Sequence, residues 1–441
     1  MKERSIPNLS KNPHYFLLFL LVQFCGAVND NIFKIGLSTL LTYSAIKHGF
    51  SDHYSASLII SLLFILPFLL FSAIAGQCAD RFSKISLIRV IKSAEIFIML
   101  SAGVGYYFKN VFTLYTCIFL MGLHSAFFGP VKYALLPDLL KPKKLLSGNS
   151  FIEATTFVAI LLGTILGATL AMVSEYFILI IGVMLAVIGR VTTQLIPINR
   201  AAEPNLKISI NPISATWQNM ILGCTDRSVF ICILGISWLW FVGTVYLSSL
   251  FSYVRFILSA DQSVVAFLLG IFSIGIALGS IVTGKVCRYL TSFAMVIAGG
   301  VGMTIFSIDF AYASHVFKNS EHLINLKEFI TAAKYGRIVF DLFLVSVCGG
   351  MFSVPLYMAL VSRSKKTVRA RMVSSNNIIN SLFMVAASLL GLLIASIQMP
   401  MLTIFYCVAV INIPIIIYLV CVDKHFKQAL VIVYKRNFKQ K

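Results

Sequence analysis

Apolar runs long enough to cross a bilayer recur twelve times in this chain, near residues 15–43, 54–78, 87–108, 111–136, 149–172, 176–197, 228–254, 263–284, 292–314, 337–361, 374–397 and 400–422. A helix needs about 20 mostly apolar residues to cross the hydrocarbon core. Only a helix or a closed barrel satisfies its backbone there, and continuous runs of this length read as helices. The pattern therefore predicts an all-α membrane protein with twelve transmembrane helices. Composition agrees: 59% of the 441 residues are apolar and 12% are charged, roughly half the charged share of a soluble domain. The 36 Phe residues suit a lipid-facing surface and need no aromatic cofactor box. The first run is too long, and too polar at its centre, for a cleaved signal peptide.

A net charge of +20 suggests nucleic acid in a soluble protein, but here its distribution reports topology. Basic residues gather in the leader (Lys2, Arg4, Lys11), around Arg81 and Lys84, at Lys141, Lys143 and Lys144, and at Arg363, Lys365, Lys366, Arg369 and Arg371. More lie in the tail at Lys424, Lys427, Lys435, Arg436, Lys439 and Lys441. Every second loop is basic, which predicts both termini on the cytoplasmic side. No soluble stretch is long enough to form a nucleic-acid surface. The 9 Cys residues are scattered singly without a CxxC pair, and no His stands at metal-ligand spacing. They read as small hydrophobes, and neither metal nor other cofactor is implied.

The connection from Ile198 to Arg227 carries Pro204, Asn205, Asn211 and Pro212, as a linker should. It divides the chain into a bundle over 1–197, a cytoplasmic linker over 198–227, a second bundle over 228–423 and a basic cytoplasmic tail over 424–441. A longer loop, His315 to Gly336, falls on the outer side by parity. The halves echo one another. Phe128-Gly129-Pro130-Val131-Lys132-Tyr133-Ala134-Leu135 shares its proline and apolar frame with Ser353-Val354-Pro355-Leu356-Tyr357-Met358-Ala359-Leu360. Ser147, Asn149 and Glu153 line up with Ser374, Asn376 and Asn380, and Phe24-x-Gly26 with Phe241-x-Gly243. Two related six-helix bundles with a cavity between them are the simplest architecture.

Within the first run, Asn29-Asp30-Asn31 and then Lys34 place four polar or charged groups where the bilayer midplane falls. Each is costly there unless it is paired or faces a watered cavity. Asp30 and Lys34 have the i to i+4 spacing of an intrahelical ion pair, a purely structural reading. The two flanking amides exceed what such a pair needs and favour a cavity wall. Lys132 follows Gly129-Pro130 in the fourth run, where proline loosens the helix. Its anion is either Glu153 or Asp30, in a structural salt bridge, or a substrate phosphate. His124 reads as a proton relay or as a hydrogen-bonded packing residue. Glu95, Asp309 and Asp341 also lie in or near spans, without partners assignable from sequence.

Gly76-Gln77-Cys78-Ala79-Asp80-Arg81-Phe82-Ser83-Lys84, at the cytoplasmic exit of the second span, resembles the G-x-x-x-D-R-x-x-[KR] loop of the major facilitator superfamily. The resemblance implies that Asp80 and Arg81 engage neighbouring helix ends and steady an outward-facing state. Gly76 and Lys84 complete the motif. Gly279-Ser280-Ile281-Val282-Thr283-Gly284-Lys285-Val286 nearly spells a phosphate-binding loop. It ends in Val286 in place of the Ser or Thr that would hold magnesium, at the foot of an apolar helix. ATP-driven transport is unsupported.

A narrower resemblance follows. Gln23-Phe24-Cys25-Gly26-Ala27-Val28-Asn29-Asp30-Asn31-Ile32-Phe33-Lys34 is similar to the Q-F-x-G-A-x-N-D-N-x-F-K signature of the bacterial lysophospholipid transporter family. The run from Phe128 to Pro137 resembles that family's fourth helix, and Asn149 and Glu153 match its following Asn and Glu. The resemblance implies a flippase that moves lysophosphatidylethanolamine and related lysolipids from the outer to the inner leaflet of the bacterial inner membrane for reacylation. Its partners would be membrane lipids and a cytoplasmic acyltransferase/acyl-carrier-protein ligase. No histidine is followed by Asp at the fifth position, so the H-x-x-x-x-D acyltransferase motif is absent and no enzyme activity is expected.

The residues suit such cargo independently. Asp30 can receive an ammonium, and Lys132 or Lys34 a phosphate, while an apolar cavity keeps dry a tail that costs about 0.8 kcal/mol per methylene to wet. The expected site is Asn29, Asp30, Asn31, Lys34, Lys132, Asn149 and Glu153. A proton-coupled exporter of amphipathic drugs remains an alternative within transporters. A partner subunit that presents lipid to an acyltransferase is the alternative outside them.

Overall fold

The structure is a computed structural model that describes residues 9, 12–43, 56–209, 211–286, 292–317 and 323–422. The basic leader residues Lys2, Arg4 and Lys11 and the tail over 424–441 lie outside the described residues. Among the described residues are α1 (His14–Tyr43), α2 (Ala56–Arg81), α3 (Lys84–Tyr107), α4 (Val111–Leu139), α5 (Leu145–Val173), α6 (Glu175–Gln194) and α7 (Pro212–Thr225). The remainder are α8 (Arg227–Phe256), α9 (Gln262–Val286), α10 (Ser292–Ser314), α11 (Leu326–Thr331), α12 (Gly336–Arg363), α13 (Arg369–Ser396) and α14 (Thr403–Val422). Each of the twelve apolar runs maps to one long helix.

Eleven of these helices are long and apolar enough to cross a membrane. The long helix outside that set is α3, whose sequence KISLIRVIKSAEIFIMLSAGVGYY is interrupted by Arg89, Lys92 and Glu95. Prolines sit inside α2, α4, α12 and α14, which membrane helices tolerate when neighbours or side chains take up the released backbone groups. The linker contains structure of its own. Asn211 caps α7 by accepting the backbone N–H groups of Ile213 at 3.0 Å and Ser214 at 3.2 Å, and Pro212 occupies the first turn, where its missing N–H goes unneeded. Ahead of its apolar run, α13 gains a first turn that includes Arg369 and Arg371. Those two residues read as loop by composition alone.

The helices fall into two compact units. One comprises Met1–Leu145, Val158–Val229 and Leu360–Ser381, the other Leu146–Phe157, Phe230–Ala359 and Leu382–Lys441. In the first unit, glycines let backbones meet. A Cβ on Gly163 would stand 2.6 Å from the Val28 carbonyl oxygen and one on Gly167 2.7 Å from that of Ile32, so α5 lies flush on α1. Phe33, Leu37, Met99, Tyr106, Ile118 and Met121 fill the core behind this seam. In hydrocarbon, where lipid is as apolar as leucine, such close packing drives helix association in place of the hydrophobic effect.

The second unit uses the same device between α9 and α12. A Cβ on Gly279 would stand 2.0 Å from the Val347 carbonyl oxygen, and one on Gly350 2.4 Å from that of Ile276. Several of its buried polar groups are paired internally. Trp238 Nε1 donates to Asn412 Oδ1 at 2.7 Å, and Asn412 Nδ2 donates to the Gly300 carbonyl at 2.7 Å. Tyr246 donates to Ser307 at 2.8 Å, and its ring packs among Phe272, Phe310 and Phe405. Replacing Gly279 by Leu forces α9 off the α12 backbone. The expected loss is about 1–3 kcal/mol, the usual overpacking range, read as a lower thermal midpoint of the purified protein in detergent.

Candidate functional site

Successive residues of a helix point about 100° apart, so the three polar residues at the centre of α1 have different neighbours. Asn29 is fully buried and donates from Nδ2 to Glu95 Oε1 of α3 at 2.7 Å. Lys92, one turn before Glu95, donates to its Oε2 at 2.7 Å. Both side chains of this ion pair are almost wholly inaccessible, at 1% and 0%. Lys92 fits because Gly26 faces it: a Cβ there would lie 2.3 Å from Nζ. The Phe128 ring covers the ammonium at 5.1 Å.

Asp30 turns toward α4. Ser125 donates to its Oδ2, and His124 Nδ1 stands 3.9 Å from Oδ1. The other ring nitrogen of His124 is 3.3 Å from Glu95 Oε2 without the alignment of a hydrogen bond. The imidazole thus lies between two carboxylates. Asp30 Oδ1 and Asn29 Oδ1 are buried acceptors with no hydrogen-bond partner among the described residues. The Asp30 side chain keeps 14% accessibility, against 0% for Glu95. Asn31 Nδ2 donates to the Ala27 carbonyl at 2.8 Å and so serves its own helix.

Asp30 and Lys34 form no ion pair within 4 Å among the described residues. Lys34 places its ammonium 5.0 Å from the centroid of the Phe64 ring. Lys132, half-buried on α4, lies 4.7 Å over the ring of Tyr133. Asn149 and Glu153, on the first turns of α5, belong to the second unit. Both are buried. Neither amide atom of Asn149 has a hydrogen bond among the described residues, and Glu153 lies on the wall of a cavity within that unit. The phosphate-loop look-alike is continuous helix, with Thr283 bonded back to the Gly279 carbonyl at 2.8 Å.

At the end of α2, Asp80 is fully buried and meets the start of α13. Its carboxylate accepts the backbone N–H groups of Ala370 at 3.1 Å and Arg371 at 3.3 Å, and Arg371 Nε at 3.1 Å. Its carbonyl accepts from Ala202 at 3.1 Å and Glu203 at 2.8 Å. Gly76 permits the approach, since a Cβ there would lie 2.5 Å from Ser374 Oγ. From α7, Asn219 donates to the Arg371 carbonyl at 3.0 Å and to Ser375 Oγ at 3.0 Å. Arg81 stacks on Phe82 at 5.5 Å. Lys84 is buried in an ion pair with Asp138 at 3.5 Å, and Asn199 joins the same carboxylate at 3.1 Å.

Residues 19–326 match the family model described as Major Facilitator Superfamily. The chain belongs to the major facilitator superfamily. Among its relatives is the lysophospholipid transporter LplT of Escherichia coli O1:K1 / APEC, 30% identical over 362 residues that cover 80% of this chain and 81% of the relative. The protein of the same name from Enterobacter sp. (strain 638) is 27% identical over 377 residues, covering 84% and 86%. These relatives place the chain in the LplT-like branch of the superfamily. Two solved structures share the fold. One is a bacterial homologue of the iron transporter ferroportin in an outward-facing state, with TM-score 0.69, 13% identity, and 95% and 99% of the chains covered. The other is a point variant of the Escherichia coli fucose:proton symporter FucP, with TM-score 0.69, 11% identity, and coverage of 93% and 98%.

Sequence reasoning about this superfamily member overlooked Lys92 and Asn219 and read Arg371 only as a basic loop residue. The signal for Lys92 was present, since a Lys and a Glu at i and i+3 within an apolar run have few ways to coexist except by pairing. Nothing local marks Asn219 or Arg371, whose partners are remote in sequence. Glu95→Ala leaves the Lys92 ammonium buried and unpaired, and we expect a loss of about 3–5 kcal/mol. The double change Lys92→Met with Glu95→Leu should recover most of it, as read from the denaturation midpoint of both variants in detergent.

Proposed function

We propose that this protein carries lysophospholipids, chiefly lysophosphatidylethanolamine, from the outer to the inner leaflet of a bacterial inner membrane, where an acyltransferase/acyl-carrier-protein ligase reacylates them. The observation that carries this reading is Asp30, a mid-helix carboxylate with one oxygen bound by Ser125 and the other buried without a hydrogen-bond partner among the described residues. A carboxylate so placed suits an ammonium or hydroxyl head group. The names of the LplT relatives supply the cargo class. Asn29 fixes the wall beside it, and the lysines of α1 and α4, Lys34 and Lys132, answer the phosphate as point charges. Asn149 and Glu153, buried near the start of α5, are the further polar residues of this reading. In this reading the bundles span 1–197 and 228–423, the linker spans 198–227, and both termini are cytoplasmic.

The bond between Asp80 and the start of α13 serves as the cytoplasmic latch. Four N–H groups at a helix N-terminus lack intrahelical acceptors, and a carboxylate placed there is favoured by the helix dipole as well. Gly76 sets the closeness of approach. Arg81 and Lys84 shape the basic loop around it. The imidazole of His124 between Asp30 and Glu95 is the feature that supports the second reading, proton-coupled export of amphipathic drugs.

Uptake of labelled lysophosphatidylethanolamine by spheroplasts tests the first reading. Asp30→Ala should lower it by about tenfold or more while the protein still reaches the membrane, in line with loss of a buried charge contact. Undiminished uptake by Asp30→Ala would remove the assigned site. Drug-driven proton movement with no lysolipid uptake by the unaltered protein would favour the exporter. For the latch, Asp80→Ala should slow turnover about tenfold and leave lysolipid binding in detergent within about twofold, the pattern of a step outside ground-state binding. An equal loss of binding and turnover would place Asp80 in a structural role.

A further inference from the structure

The linker carries no charged residue between Lys207 and Asp226, and α7 lies inside that stretch. It belongs wholly to the first unit. Ala215, fully buried, packs in a cluster with Leu69 and Ala73 of α2 and Ile378 of α13. Beside it, Thr216 Oγ1 donates to the Leu69 carbonyl at 3.4 Å. The rise of a helix puts Leu69 about 18 Å from Arg81 at the basic end of α2, and Ile378 about 14 Å from Arg369 at the basic start of α13. Both figures are roughly half the thickness of a hydrocarbon core. Two helices therefore place the N-terminal half of α7 at a similar depth, well inside the spans. Its flanks lie nearer the ends of those helices. Ser209 N–H donates to Gln77 Oε1 at 2.7 Å, one turn from Arg81, and Asn219 donates to the Arg371 carbonyl at 3.0 Å.

The polar groups of α7 are arranged for a place without water. A helix N-terminus in water leaves its first N–H groups to solvent, whereas in hydrocarbon each one left unmet is costly. At the deep end of α7 all of them are answered. Pro212 has no N–H, Asn211 Oδ1 accepts those of Ile213 and Ser214 at 3.0 Å and 3.2 Å, and the Asn211 carbonyl accepts that of Ala215 at 2.9 Å. Exposed polar side chains bond within the helix as well: Gln218 donates to Ser214 Oγ at 3.2 Å and Thr225 to the Leu222 carbonyl at 2.7 Å.

Ile213, Trp217 and Ile221 stand four residues apart on one face of α7, directed away from α2 and α13, with exposures of 77%, 65% and 53%. A contiguous apolar patch of this kind marks a contact with membrane or protein. We propose that α7 is a re-entrant helix in the cytoplasmic leaflet, with Ile213, Trp217 and Ile221 against lipid acyl chains. A charge-free helix of 14 residues is too short to span and suits a re-entrant segment. Depth, the absence of charge and the answered N–H groups all favour hydrocarbon as the occupant of this face. Lys207 on one side, and Asp226 and Arg227 on the other, bound the excursion with charges that belong in water. The leaflet is named from the orientation proposed above, and the depth of α7 is independent of that orientation and of the cargo.

The test uses the full-length protein in phosphatidylcholine vesicles, with and without bromine on the acyl chains, and reads tryptophan fluorescence. The chain has 3 Trp residues, so the difference between the unaltered protein and Trp217→Phe isolates Trp217 from Trp238 and Trp240. Trp217 is exposed, and an aromatic replacement there leaves the fold intact. Acyl bromine should weaken the Trp217 component by at least about twofold, as contact with acyl chains requires, and aqueous iodide should quench it far less than it quenches free tryptophan. Absence of quenching by acyl bromine overturns the assignment. Strong iodide quenching would then place the face of Trp217 in water, and resistance to both quenchers would place it beneath another protein surface, such as a second copy of this chain.

Discussion

The first unit is organised around one constraint, the burial of an ammonium and a carboxylate, Lys92 and Glu95, in a bilayer-spanning bundle. Two such charges remain buried only if they face each other and if every remaining lone pair and proton is answered. Their surroundings meet that demand. Asn29 donates to the second carboxylate oxygen at 2.7 Å, Phe128 covers the ammonium, and the absence of a side chain at Gly26 provides the space. Because Lys92 is spent on Glu95, it leaves Asp30 to Ser125 and His124. The sealed pair therefore fixes the positions of α1, α3 and α4, and the Asp30 carboxylate is held on a frame that is already neutral.

A comparable logic governs the end of α2. A helix N-terminus presents N–H groups that no carbonyl of its own helix can take, and Asp80 supplies the acceptor for two of them in α13. Its backbone carbonyl meanwhile holds Ala202 and Glu203, and Asn219 of α7 grips the same first turn of α13. Four remote stretches of chain thus converge on one turn of helix. These hydrogen bonds share one turn of helix, which suits the latch role proposed for Asp80.

Much of the fold was legible because hydrocarbon imposes length and apolarity on each span, so twelve runs map to twelve long helices. The helix that composition serves least well is α3, since its charges cancel only in three dimensions. The start of α13 was misjudged for a related reason. Arg369 and Arg371 read as loop residues by charge, yet they open a helix because Asp80 and Asn219, distant in sequence, hold its first turn. The site was legible in part. Asp30 stood out through the penalty for a lone midplane charge, and it faces Ser125 and His124. The i, i+4 spacing of Asp30 and Lys34 admitted an ion pair, but the structure turns Lys34 onto Phe64. Spacing limits which side chains of one helix are able to meet, and the packing of other helices decides among them.

Sequence echoes between the two halves conceal a chemical divergence that follows from glycine. Gly26 and Gly243 occupy echoing motifs, and each leaves a void the width of a side chain on its helix. In the first unit a lysine from α3 occupies that void and brings a carboxylate with it, so polarity is drawn into the bundle and must be satisfied there. In the second unit a Cβ on Gly243 would meet nothing within 4 Å. A duplicated scaffold thereby comes to fill one glycine gap with charge and to leave the other open without altering its helix count.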